Sequence, residues 1–99
     1  EAVTLAGARP VFVDVEPESF HINLKKAEQK INSRTKAILP VHLYGNPVDL
    51  KMIREFCDYY KLYLIQDCAQ AHGATFQNKN LVDFGDICCY SFYPGKNLG

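Results

Sequence analysis

The chain has 99 residues, 47% of them hydrophobic and 22% charged, with 11 basic against 11 acidic side chains and no net charge. So short a chain buries about 60 to 65% of the surface its unfolded form exposes, which allows one core and excludes two domains. Charge balance excludes the one-sided Lys/Arg excess of a nucleic-acid or anionic-membrane binder. Apolar runs such as Leu62-Tyr63-Leu64-Ile65 fall far short of the roughly 20 residues that span a bilayer. The chain therefore reads as cytoplasmic, with neither nucleic acid nor membrane as partner.

The elements alternate along the chain. Glu1 to Ala6 reads as the end of a helix closed by Gly7, and Pro10 to Val15 as a buried, β-branched strand. Asn23 is placed to cap a helix that carries Leu24, Ala27 and Ile31 on one face, and Lys36 to Val41 follows as a strand. Pro47 and Asp49 open the clearest helix. Its apolar stripe is Ile53, Phe56, Cys57 and Tyr60, opposite Lys51, Arg54, Glu55 and Asp58. Leu62 to Gln66 reads as a near-continuous apolar strand, Gln77 to Asn80 as a turn, and Ile87 to Phe92 as a last strand. Alternating strands and helices predict an α/β fold, a mostly parallel sheet covered by helices on both faces in a three-layer αβα arrangement.

The four cysteines, Cys57, Cys68, Cys88 and Cys89, contain no C-x-x-C pair and read as reduced thiols, mostly buried. The single methionine is Met52, and the chain opens on Glu1 and closes on Gly99, so residues 1–99 are expected to be an excerpt from a longer protein.

Polar side chains gather after the strands, where parallel sheets bind ligands. His42, Tyr44 and Gly45 follow the second strand, Asp67, Gln70 and His72 the third, and Ser91, Lys96 and Asn97 lie in or after the fourth. Each has a plainer reading. Asp67 suits an Asx turn at a strand exit, His42 a hydrogen-bonded strand end, and Lys96 a solvated surface. Against these, the Ala69-to-Ala74 run supplies small residues that let a backbone approach a ligand closely, together with the Gln70 amide and the His72 imidazole. Lys96 sits in a Pro/Gly-shaped loop after a buried strand, and a lysine amine held there can condense with an aldehyde. The histidines have no metal-ligand spacing, so no metal site is expected, and no dinucleotide fingerprint or P-loop is present.

Taken together, Val41-His42-Leu43-Tyr44-Gly45, Asp67-Cys68-Ala69-Gln70-Ala71-His72-Gly73-Ala74 and Ser91-Phe92-Tyr93-Pro94-Gly95-Lys96-Asn97-Leu98-Gly99 resemble the DegT/StrS-type sugar aminotransferases. Gly7-Ala8-Arg9-Pro10-Val11-Phe12-Val13-Asp14-Val15 resembles the same family, so the likeness covers essentially the whole chain, with Lys96 29 positions after Asp67. It departs at Gln66, where many members carry Glu, and at Cys68, where Ala is common.

The resemblance implies a central segment of the large domain of a fold-type I enzyme that uses pyridoxal 5'-phosphate (PLP). The upstream part and a small C-terminal domain would lie outside these residues. It further implies that Lys96 bonds covalently to the cofactor's aldehyde and carries protons, Asp67 pairs with its pyridine nitrogen, Gln70 lies near its 3-hydroxyl and Ser91 contacts its phosphate. His42, Tyr44, His72 and Asn97 are expected to line the pocket. The implied reaction moves an amino group, typically from glutamate, onto the keto group of a nucleotide-linked sugar, in a homodimer. Lys96 argues against the dehydratase relatives that place His there. The alternatives are a PLP-dependent sugar dehydratase or other PLP lyase on the same fold, or a regulator derived from the family without turnover. Expressed alone, the excerpt is expected to expose sheet edges and apolar faces and to fold poorly.

Overall fold

The computed structural model describes residues 1–98, so Gly99 of the last motif lies outside the described residues. A short helix α1 (Ala2–Leu5) opens the chain and is closed by Gly7, whose left-handed φ of 79° no β-carbon hinders. The expected strand from Pro10 to Val15 does not form. Among the described residues its only ladder contact is an antiparallel bridge between Val15 and Ile22, and Val11 and Phe12 are exposed. An extended apolar segment becomes a strand only where another strand takes up its backbone groups, and here Asp14 O and Glu16 N instead close a turn onto Asn23 N (3.1 Å) and His21 O (2.8 Å).

Helix α2 (Leu24–Glu28) starts at Asn23, whose side chain accepts the Lys26 N–H at 2.8 Å. It ends before Ile31, which reaches the core from a following turn. Strand β1 (Ala37–Ile38) is shorter than expected because Pro40 has no N–H to donate. Parallel pairing resumes one residue later, where Val41 bridges Asp67. Helix α3 (Leu50–Tyr60) is capped by Asp49, whose carboxylate accepts the Met52 N–H at 2.9 Å, and stops at Lys61 in the left-handed region. It buries Leu50, Ile53 and Cys57, with Phe56 and Tyr60 half-buried beside them. Each fully buried Leu or Ile contributes about 1.5–3 kcal/mol.

Strand β2 (Tyr63–Asp67) begins one residue later than expected and includes the aspartate. Strands β3 (Thr75–Phe76) and β4 (Lys79–Asn80) form a hairpin whose two loop residues, Gln77 and Asn78, both have positive φ, the geometry that matches strand twist. Strand β5 (Ile87–Cys89) ends before Tyr90, three residues short of expectation. The main sheet has the order β1-β2-β5 and is parallel throughout, with Ala37 opposite Tyr63 and Asp67 opposite Cys89.

Residue parity divides this sheet into two faces. Ile38, Pro40, Leu64, Gln66 and Cys68 point into the core under α3, with α2 alongside, tied by the Tyr60 hydroxyl to Glu28. Leu39, Val41, Tyr63 and Ile87 on the other face are exposed. The α/β class and the parallel ladder are as expected, while among the described residues helices cover one face.

Arg54 ties the layers together. Its guanidinium donates to Asp58 of the same helix at 3.0 Å and to Asp86 before β5, also at 3.0 Å, and Asp86 in turn accepts the Leu64 N–H at 2.7 Å. The Leu64 N–H, and next Arg54, hold the Asp86 carboxyl below its ordinary value. A carboxylate depressed in the folded state adds stability above its unfolded pKa and loses it as pH falls through the folded value. The stability difference between wild type and Asp86→Asn, measured by urea unfolding of the intact protein across pH, should therefore be largest near neutrality and shrink on acidification. A difference independent of pH contradicts this.

Candidate functional site

Parallel pairing of β2 with β5 brings their carboxyl ends to one rim. Asp67 ends β2, where its backbone is held on both sides. The Asp67 N–H donates to Pro40 O at 3.0 Å, the His42 N–H donates to Asp67 O at 3.1 Å, and the next residue, Cys68, donates to Cys89 O at 2.8 Å. One carboxylate oxygen, Oδ1, accepts the Ala69 N–H at 3.0 Å, so the Asx-turn reading of this residue is correct as local geometry. The turn uses one oxygen and leaves the other available to a ligand.

Gln70 lies across from the 42–48 loop. Its Oε1 accepts the Tyr44 N–H at 2.8 Å, which leaves the amide N–H groups to donate elsewhere. The loop reaches this contact through two consecutive left-handed residues, Tyr44 (φ 57°) and Gly45 (φ 76°). At Gly45 a β-carbon would also approach Gln70 O at 3.2 Å, so glycine is needed for space as well as conformation. Tyr44 pays a conformational strain to project its ring outward, 80% exposed, on this rim.

Ser91 follows β5 by two residues. Parity puts it on the side of Cys89, and Cys89 is opposite Asp67, so Ser91 and Asp67 share a face. The Ser91 Oγ accepts the Tyr93 N–H at 3.4 Å, leaving its own O–H free to donate. The Lys96 N–H donates to Tyr93 O at 2.8 Å in the turn that follows, and Lys96 is half-buried between exposed Gly95 and Asn97. Among the described residues the Lys96 amine forms no hydrogen bond or ion pair. Asn97 stands on the outer side of the same turn, exposed.

His72 packs on the other face of the chain leaving β5, its ring centroid 5.3 Å from that of Tyr90 and 5.5 Å from that of Phe92. Both ring nitrogens are buried without a hydrogen-bond partner among the described residues. His42 lies beneath the rim instead of on it. It is 0% exposed, with Nε2 2.9 Å from Gln66 Oε1 and Nδ1 accepting the Val48 N–H at 3.2 Å. It is the hydrogen-bonded strand-end residue of the plainer reading, and its expected place in the pocket lining is corrected. A histidine on the buried face of a sheet is drawn to the polar partner beside it.

That partner, Gln66, was visible in the sequence only as a departure from the family pattern. Strand parity places it on the core face between Leu64 and Cys68, and a polar side chain on a buried face marks a network. Its Nε2 donates to Leu81 O at 2.8 Å and to Cys88 Sγ at 3.0 Å. Gly85 was missed altogether. A β-carbon there would lie 2.3 Å from Gln66 Nε2, an amide already fixed by its bonds. Gly85→Ala should therefore displace Gln66 and destabilise the intact protein by about 1–3 kcal/mol, the usual cost of overpacking, read as a lowered denaturation midpoint with unchanged slope. An unaltered midpoint contradicts that.

All four cysteines are free thiols, and burial pushes Cys68, next to Asp67, up to about 12, so it stays protonated and adds no charge. No group of His, Cys, Asp or Glu among the described residues is arranged to hold a metal ion. No helix among them is long and apolar enough to cross a membrane. Two cavities, of about 340 and 320 Å³, lie on the helix side, among α2, α3 and the turn containing Glu16 and His21. The candidate site is thus the rim at the strand ends, with the Asp67 carboxylate, the Gln70 amide and the Ser91 hydroxyl on the segments leaving β2 and β5, and Lys96 in the turn that follows Ser91.

The chain is similar to known proteins over essentially its whole length. The chain is 48% identical, over all of its length and 27% of the relative's, to UDP-N-acetyl-3-dehydro-alpha-D-glucosamine 3-aminotransferase from Acidithiobacillus ferrooxidans. It is 43% identical, over 99% of its length and 26% of the relative's, to the pleiotropic regulatory protein of Geobacillus stearothermophilus. Its structure matches NtdA from Bacillus subtilis, solved with bound cofactor PMP, at a TM-score of 0.90 and 43% identity, covering 99% of this chain and 22% of that one. The chain thus spans about a quarter of the length of the proteins it matches. Residues 1–99 match the model of the DegT/DnrJ/EryC1/StrS aminotransferase family, and the chain belongs to that family.

Proposed function

We propose that the intact protein is a PLP-dependent aminotransferase that moves an amino group, from glutamate, onto the keto group of a nucleotide-linked sugar. The observation that supports this reading is that Asp67 ends β2, Gln70 follows it and Ser91 follows the adjacent parallel strand β5, each with a polar atom unengaged among the described residues, with Lys96 in the turn after Ser91. The donor set fits the cofactor: a carboxylate oxygen for a ring nitrogen, an amide N–H for a ring oxygen, a hydroxyl for a phosphate and an amine for an aldehyde. When bound, PLP supplies a carbon that bonds amines and a ring that accepts the negative charge left when a proton leaves the neighbouring carbon.

The chain's own residues do the rest. Asp67 holds the ring nitrogen's proton in place through the oxygen its turn leaves open. Gln70, its Oε1 occupied by Tyr44, presents only donors to the ring oxygen. Ser91 donates its hydroxyl to the phosphate, sharing that anion with groups elsewhere in the protein. Lys96 fixes the cofactor and, once displaced by the incoming amine, moves a proton between substrate and cofactor carbons as general acid and base. A cytoplasmic homodimer with these residues in a central segment of its large domain is part of the same reading.

The likeness to a regulatory protein keeps a second reading in view, a family member that binds without turnover. Retention of both Lys96 and Asp67 favours the enzyme. Adding PLP to the intact protein should produce a visible absorption band that disappears on adding glutamate, with 2-oxoglutarate released and a nucleotide-linked keto-sugar aminated. A band that glutamate leaves unchanged, with no acceptor sugar turned over, overturns the aminotransferase in favour of the regulator. No band at all overturns both.

A further inference from the structure

His42 and Gln66 are both 0% exposed, with their side chains on the core side of the sheet, beneath the rim. Their bonds run one way only. The Val48 N–H donates to His42 Nδ1 (3.2 Å), so that nitrogen carries no proton and the ring's proton sits on Nε2. Nε2–H donates to Gln66 Oε1 (2.9 Å), and Gln66 Nε2–H donates to Leu81 O (2.8 Å) and Cys88 Sγ (3.0 Å). A backbone N–H at one end and a backbone C=O at the other fix the direction, the tautomer and the amide orientation together.

The chain of bonds joins three segments of the rim. His42 and Val48 bracket the loop whose Tyr44 N–H orients Gln70. Gln66 immediately precedes Asp67, and Cys88 lies in β5, which leads to Ser91. We propose that the buried His42–Gln66 pair is a positioning device that holds the Asp67, Gln70 and Ser91 segments in register for the cofactor through a single hydrogen-bond arrangement with one protonation state. The proposal rests on the cofactor reading above. A second proton on His42 would set Nδ1–H against the Val48 N–H. The titratable groups facing the pair are His21 from the 16–22 turn, Asp67 from β2 and Cys88 from β5. Burial holds the His42 imidazole below its ordinary value, in keeping with a neutral ring. Having Gln instead of Glu at position 66 removes the one carboxyl that could titrate inside the chain of bonds.

The first test needs no variant. In the intact wild-type protein, nitrogen NMR of the histidines should show His42 protonated at Nε2 and not titrating between about pH 5 and 8. An Nδ1–H tautomer, or titration in that range, overturns the proposal. Gln66→Glu retains the shape but needs a protonated carboxyl to donate to Leu81 O. Its kcat and PLP affinity should match wild type at low pH and fall as pH rises, a limb absent from wild type. Packing alone would shift the melting temperature without that limb, so a flat profile overturns the proposal.

His42→Gln retains the donor and loses the acceptor for Val48, whereas His42→Asn does the reverse. Each should lower kcat by up to about 100-fold through misplacement of the rim, with weaker PLP binding and KM for glutamate little changed. A folded variant within twofold of wild type in both kcat and PLP affinity overturns the proposal. Failure of the wild type to bind PLP sinks the functional reading instead, and the tautomer measurement separates the two.

Discussion

Replacing Lys96 by Ala in the intact protein should abolish transamination, a loss of at least about 10⁴-fold, the upper end of what one positioned acid–base group contributes. On the proposed reading two jobs disappear together, covalent retention of the cofactor and transfer of the proton, and no other primary amine lies in the 91–98 segment to assume them. Lys96→Arg should be as inactive, because a guanidinium keeps the charge but neither condenses with an aldehyde nor gives up its proton. The fold should be untouched, since only the Lys96 backbone N–H, bonded to Tyr93 O at 2.8 Å, is used structurally. Borohydride treatment of the PLP-loaded wild type should fix cofactor to the peptide containing Lys96, and of Lys96→Ala to none. Turnover by Lys96→Ala within 100-fold of wild type would remove Lys96 from the mechanism.

Asp67→Asn should lower kcat by roughly 10²- to 10³-fold, the scale of losing one preorganised electrostatic partner, while PLP remains bound. The local turn survives, because an amide oxygen can accept the Ala69 N–H as the carboxylate Oδ1 does. On the proposed reading what is lost is the negative charge that would face the ring nitrogen, and with it the ring's ability to take up charge from the reacting carbon. This substitution therefore separates the two readings of Asp67. A turn residue alone predicts near-normal kcat, and a cofactor partner predicts slow turnover at intact stability. The pair of measurements, kcat against denaturation midpoint, distinguishes them.

How far the sequence reached depended on whether local pattern or distant pairing decided an element. Helix α3 was legible because Asp49 caps it and Ile53 and Cys57 repeat on one face, information contained within a dozen residues. Strand β2 was legible because its run is near-continuously apolar, although parity on a two-sided buried sheet gave no reason to set Gln66 apart. The segment Val11 to Val15 has the composition of a strand and is not one, because a strand exists only with a partner, and among the described residues it has a single bridge. The rim residues Asp67, Ser91 and Lys96 were singled out by their position after strands and by the family pattern. The links Tyr44 to Gln70 and His42 to Gln66 span 26 and 24 positions and left no local trace.

By itself, then, the sequence determined the α/β class and the capped helices, which follow from short-range spacing and residue type, and the family, which its motifs carry. Tertiary structure alone decided that His42 sits beneath the rim, that Gln66 and Gly85 are matched in space, and that one sheet face is left bare. Those features depend on which strands lie side by side and in what register, and register is set by pairing between segments far apart in the chain.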